Sequence, residues 1–213
     1  MAPDIKWGHF WAQSLQDFIT RGEPQKGSHW GDEWGEPMSN ICKPLLERMV
    51  LSQIKKGDVA VEIGPGGGRL TRHIKHGLKR LYLVEYNPEF FSVIRQRFND
   101  PENFVYVHSK DGKTMREIKN REVDFVFSWG TFVHFELDHI GAYLKEIKRV
   151  LKRNGKCFLQ IPDKNRPQHQ GAFGNVTLDE FLAMVKKLKG LKVLEVDAET
   201  LPNSTCVLLK RSA

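Results

Sequence analysis

A short apolar segment, Val59 to Ile63, runs directly into Gly64-Pro65-Gly66-Gly67-Gly68. Glycines at 64, 66 and 68 let the backbone turn sharply and leave no Cβ between the main chain and a ligand. The residues that follow, Arg69 to Lys75, are expected to form a helix whose first N–H groups point back at the turn. A strand, a glycine turn and a helix in this order is how doubly wound α/β proteins build a crevice at the ends of their strands.

The rest of the chain repeats the alternation. Apolar runs at 81–85, 104–108, 123–128, 156–161, 191–196 and 206–209 read as further strands. Helical spacing covers 7–20, 44–53 and 88–98. Another helix is expected to be capped by Asp138 and to stop near Asn154-Gly155. Thr177-Leu178-Asp179-Glu180 is a capping box that opens the last helix. The pattern predicts an α/β fold, a doubly wound, mostly parallel seven-stranded sheet with helices on both faces. The 213 residues suit one core over 41–213 preceded by an aromatic-rich helical cover over 1–40.

The spacing of the glycines excludes one nucleotide class. A dinucleotide fingerprint needs a third glycine where Arg69 stands. A phosphate-binding loop at Gly112-Lys113-Thr114 fails too, because the glycine it requires upstream is Val107. What remains is an acid followed by alternate glycines: Glu62, Gly64, Gly66 and Gly68. Glu85 then ends the next strand about 20 residues on, where a carboxylate holds the ribose hydroxyls of an adenosine-type ligand.

This pattern resembles the first motif of the class I S-adenosylmethionine-dependent methyltransferases. The resemblance implies a Rossmann-like methyltransferase fold and S-adenosyl-L-methionine as cofactor. Carried onto this sequence, it implies cofactor contacts from Glu62, Gly64, Gly66, Gly68, Glu85, Tyr86, Asp111, Gly112, Ser128 and Trp129, with Lys110 competing with Asp111 for its place. The blocks Val123–Ser128, Phe132-Val133-His134, Tyr143-Leu144 and Leu151–Gly155 resemble a bacterial and archaeal subgroup. So does the upstream Trp30–Gly35. The better-understood relatives in that subgroup include modifiers of sugars and other small metabolites, and many members have no assigned substrate. The chain departs from them after the fifth strand, where Gln160-Ile161-Pro162-Asp163 replaces a His-His-Ser-Asn-like stretch.

Four of the five tryptophans lie in the first 34 residues. Trp7, Phe10, Trp11, Leu15, Phe18 and Ile19 share one face of the first helix. Trp30 and Trp34 follow in a glycine-rich loop, which is read as a cover that excludes water from the crevice. Trp30, Trp34, His29 and Asp163 are the candidate acceptor-binding residues. His134, after the fourth strand, is the candidate general base, because imidazole titrates near neutral pH. No Asn/Asp-Pro-Pro-aromatic motif follows the fourth strand, which speaks against methylation of adenine or glutamine nitrogen. No His/Cys/Asp cluster has metal spacing, so no metal is expected.

Composition narrows the setting. The longest apolar runs are too short to span a membrane, and the N-terminus lacks a basic-then-apolar leader pattern. Cys42, Cys157 and Cys206 are odd in number and far apart, which fits a reduced, cytoplasmic protein. The net charge is +7. Residues 1–40 hold six acids against three bases, so the surplus sits on the core. Such a surplus can attract nucleic acid, although no basic stripe interleaved with aromatics appears, and a solvated surface is favoured. Three readings stand at this point. The first is transfer to a small polar metabolite at oxygen, with a sugar-like acceptor favoured. The second is methylation of RNA. The third is a non-catalytic S-adenosylmethionine-binding module. The oligomeric state is open.

Overall fold

The computed structural model describes residues 6–212; the side chains of Lys6, Trp7 and Lys26 are outside that description. The part of the expected cover at residues 1–5 and the place of the Trp7 ring therefore lie outside the described residues.

Seven strands form one sheet in the order β3-β2-β1-β4-β5-β7-β6. They are β1 Val59–Ile63, β2 Arg80–Glu85, β3 Phe104–His108, β4 Val123–Ser128, β5 Leu151–Pro162, β6 Leu191–Asp197 and β7 Ser204–Arg211. The first five run parallel. β7 lies antiparallel between β5 and β6. Alternation along each strand sorts the core into two layers. Val59, Val61 and Ile63 face helices α5 (Leu137–Val150) and α6 (Leu178–Leu188). Ala60 faces the other side, toward Leu45, Leu46 and Met49 of α2 (Lys43–Met49) and Ile94 of α4 (Glu89–Phe98). Between these two comes α3, only Thr71–Ile74.

Before the core, α1 (Lys6–Thr20) packs Leu15 and Phe18 against Trp30 and Phe90 of α4. Asn87 donates to the carbonyl of Gly8 at 2.9 Å, tying α1 to the turn after β2. Single-turn 3-10 helices at Pro24–Lys26 and Asp32–Trp34 complete the N-terminal layer.

Four expectations need correction. The helix after the glycine turn begins at Thr71, not Arg69, because Gly66 to Leu70 continue as turns with Gly68 at φ +78°. The helix expected over 44–53 stops at Met49 and resumes as a 3-10 turn, Leu51–Gln53. Asp138 sits inside the first turn of α5; Glu136 is its N-cap. That helix ends at Val150, and β5 starts at once. Its left-handed residue is Asn154, φ +65°, within an irregularity where β4 and β5 shift register. Lys152 is thus on a strand, where it pairs with Asp124 at 2.7 Å. The capping box is present as expected: Thr177 accepts from the Glu180 N–H, and Glu180 accepts from the Thr177 N–H.

Candidate active site

Strand order reverses between β1 and β4, and the main cavity opens there, at the carboxyl ends of the strands. It encloses about 510 Å³, the size of a small-molecule site.

One end is built by the β1 and β2 turns. Gly64 and Gly66 have φ of +69° and +52°, where an L side chain is strained. A Cβ on Gly64 would sit 2.1 Å from the Thr131 hydroxyl, and one on Gly66 would sit 2.7 Å from the Trp30 ring. Glu62 reaches the cavity wall and accepts the Thr71 hydroxyl at 2.6 Å. Burial pushes its carboxyl up to about 8, with the nearby Glu85 adding to the rise. Glu85 accepts the N–H groups of Tyr86 (2.7 Å) and Asn87 (3.2 Å) on one oxygen. Among the described residues its other oxygen accepts only the Gly66 N–H, at 3.4 Å. Burial raises Glu85 to about 7 against these bonds.

The other predicted cofactor residues divide. Tyr86, Gly112 and Trp129 line the cavity. Trp129 also stacks on Phe158, with 15° between the rings. Gly68, Asp111 and Ser128 do not line it. Gly68 faces Phe98, where a Cβ would come within 2.5 Å of the ring. Asp111 turns back into its own loop and accepts from the backbone of Lys113 and Thr114 and from the Thr114 hydroxyl. Ser128 is fully buried and donates to the Ile63 carbonyl at 2.8 Å, bracing β4 against β1.

The opposite end is aromatic. Trp11, Trp30 and Trp34 meet edge to face, with ring centres 4.7–5.9 Å apart. Trp30 is buried, and its indole N–H donates to Ser14 at 3.2 Å. His134 lies edge-on to Trp11 and Phe173, each at 5.4 Å. Its Nδ1–H donates to the Ala172 carbonyl at 3.0 Å, so Nε2 is the basic nitrogen of the neutral ring. Burial holds its pKa below the usual histidine value, and the Ala172 bond works against that.

Two acceptor candidates fall outside this cavity. His29 lies 3.7 Å from Asp32 on a partly exposed loop. Asp163 is buried and accepts the Thr205 hydroxyl at 3.1 Å. Gln160 takes the wall position instead, accepting the Gly130 N–H at 2.8 Å and donating to Ser204 at 2.9 Å. Strand alternation puts Gln160 and Asp163 on opposite faces, but no local signal tells which face meets the cavity. Arg69, His139 and Phe173 also line the cavity unanticipated. Arg69 could have been found by its adjacency to the glycines. Phe173 gave no signal, because it sits in the polar loop 164–176.

Comparison with known proteins bears on this geometry. Residues 61–159, from within β1 into β5, match a family described as the methyltransferase domain. Curated relatives match a shorter stretch. The ribosomal RNA small subunit methyltransferase A of Persephonella marina is 36% identical over 69 residues, 32% of this chain and 26% of that protein. Its Clostridium botulinum (Type A) counterpart is 30% identical over 69 residues, 32% and 25% respectively. The chain thus spans about a quarter of the length of the curated relatives it matches. Among solved structures, a chain from the complex of the Haloferax volcanii Trm112 methyltransferase activator with a methyltransferase superposes with TM-score 0.68. It shares 17% identity and covers 92% of this chain and 97% of that one. A S-adenosylmethionine-dependent methyltransferase from Mesorhizobium loti gives TM-score 0.66 at 13% identity, over 81% and 99%. The seven-stranded sheet is the Rossmann-like methyltransferase fold.

Solved neighbours are described as S-adenosylmethionine-dependent methyltransferases, and the residues present here fit S-adenosyl-L-methionine. Glu85 keeps acceptor capacity on a partly buried wall, which suits two ribose hydroxyls. Glu62 is a buried acid with no ion pair among the described residues, which suits an ammonium group. The cavity surface between them is bare main chain at Gly64 and Gly66. No group of three or more His, Cys, Asp or Glu among the described residues could hold a metal ion.

Proposed function

We propose that this chain is an enzyme that methylates a small polar metabolite at oxygen, with a sugar-like acceptor favoured. The observation that carries the reading is one cavity joining two unlike ends. Glu62 and Glu85 stand at one, and His134 with its Nε2 set as the basic nitrogen stands at the other. When bound, the sulfonium of S-adenosylmethionine supplies an electrophilic methyl group. The chain must then align an acceptor oxygen and keep water away. Trp11, Trp30 and Trp34 close that end as a cover, while Gln160 and Gln170 offer polar contacts. His134 Nε2 accepts the proton released by the acceptor hydroxyl. Free Cys42, Cys157 and Cys206 support a reducing compartment, the cytoplasm. No helix among the described residues is long and apolar enough to cross a membrane.

The test is calorimetry with S-adenosylhomocysteine followed by methyl transfer to a panel of sugars and hydroxy acids. Turnover of the panel supports the proposal; cofactor binding with no small acceptor in a broad panel counts against it. RNA methylation is the second reading, favoured by the net charge of +7 and the ribosomal RNA methyltransferase relatives. It requires RNA binding that weakens steeply with salt.

A further inference from the structure

Arg69 is a cation on the cavity wall that forms no ion pair among the described residues. Its Nη1 donates to the carbonyls of Trp34 and Gly35, each at 3.1 Å, and its guanidinium lies 5.8 Å from the Trp34 ring centre. The three acids whose charge reaches it are committed elsewhere. Asp32 pairs with Arg97 at 3.0 Å and with Arg72 at 3.7 Å. Glu36 pairs with Arg72 and with His73. Glu33 accepts the Gly31 N–H at 2.8 Å.

The two Nη1 contacts leave the Nε–Nη2 edge of the guanidinium. That edge is a fixed pair of donors spaced for the two oxygens of a carboxylate. Nη2 comes within 3.9 Å of the place a Cβ would take on Gly130, so the bare backbone there leaves room beside the fork. Gly130 also lines the cavity, as do Trp34 and Gln160. A guanidinium held by two carbonyls at a partly buried wall keeps its charge, and the charge needs an anion.

We infer that Arg69 is a carboxylate-binding residue of the cavity. This rests on the methyltransferase reading above. Two molecules could bring the carboxylate: the amino-acid end of S-adenosylmethionine, or an acidic acceptor such as a hydroxy acid or sugar acid.

Calorimetry on the full chain separates them, using wild type, Arg69→Gln and Arg69→Lys with two matched pairs. The first pair is S-adenosylhomocysteine against its decarboxylated analogue. The second, with S-adenosylhomocysteine present, is 4-hydroxybenzoate and glucuronate, each against its neutral amide. Wild type should favour the acid in one pair by at least ten-fold. Arg69→Gln should erase that ratio, and Arg69→Lys should keep part of it. Loss in the first pair assigns the carboxylate to the cofactor; loss in the second assigns it to the acceptor. Loosening of the Trp34–Gly35 loop alone lowers both members of a pair together and leaves the ratio intact. A ratio unchanged by Arg69→Gln, or no acid preference in either wild-type pair, overturns the inference. Failure of S-adenosylhomocysteine to bind wild type overturns the methyltransferase reading itself.

Discussion

Glu62 and Glu85 stand at the ends of neighbouring strands, face one cavity, and form no ion pair among the described residues. A buried acid and a partly buried one, each raised by desolvation, suit a ligand that brings positive charge and hydroxyl donors.

The first consequence is a pH-dependent stability. Folding lifts Glu62 from the ordinary 4.5 to about 8. The folded protein therefore holds a proton that the unfolded chain releases, and stability from this group falls as pH rises between those values. Glu62→Gln keeps an acceptor for Thr71 and cannot ionise. Its melting temperature without ligand should pass from equal to wild type near pH 5 to above it near pH 8.5. An offset constant across that range would contradict the burial argument.

Glu85→Ala should weaken S-adenosylhomocysteine binding by roughly 10- to 100-fold. Hydrogen bonds to a charged acceptor contribute about 1.5–3 kcal/mol, and two hydroxyls are expected to use this one. The variant should stay folded by circular dichroism. Wild-type affinity by calorimetry would refute the site.

His134→Ala should lower the rate by about 10²- to 10⁴-fold, the range for general-base catalysis. Affinity for S-adenosylhomocysteine should change little. Because burial lowers the His134 pKa, the wild-type rate should fall only below the usual histidine value of 6.5 and stay level above it. A rate that keeps climbing between pH 7 and 9 would remove His134 as the base.

Trp30→Ala should cost about 3–5 kcal/mol in urea unfolding, as for other buried tryptophans cut to alanine. The ring fills the space over Gly66, packs on Phe90 at 4.5 Å, and anchors α1 through Ser14. A loss under 1 kcal/mol would show that the N-terminal layer is only loosely attached.

Asp163→Asn should reduce stability by about 1–3 kcal/mol through the buried Thr205 bond. Cofactor and acceptor affinity should not change, since Asp163 is not on the cavity wall. An acceptor KM shifted ten-fold would return Asp163 to the site.

Sequence alone determined the elements whose cause is local. Strand β1, the Gly64–Gly68 turn, the Glu85 strand end and the Thr177–Glu180 capping box each follow from side-chain periodicity, missing Cβ atoms or a hydrogen bond three residues long. The alternation of strands and helices fixed a mostly parallel sheet for the same reason. Only the tertiary structure decided which side chains share the cavity. Gln160 faces it and Asp163 does not, because the pleat and the β7 pairing orient them. Asp111 is drawn into its own loop by the backbone N–H groups of Lys113 and Thr114. Arg69 was placed beside Trp34 by a loop 35 residues upstream, and Phe173 beside His134 by one 38 or more residues downstream. Such contacts depend on long-range packing, which leaves no period or spacing along the chain to read.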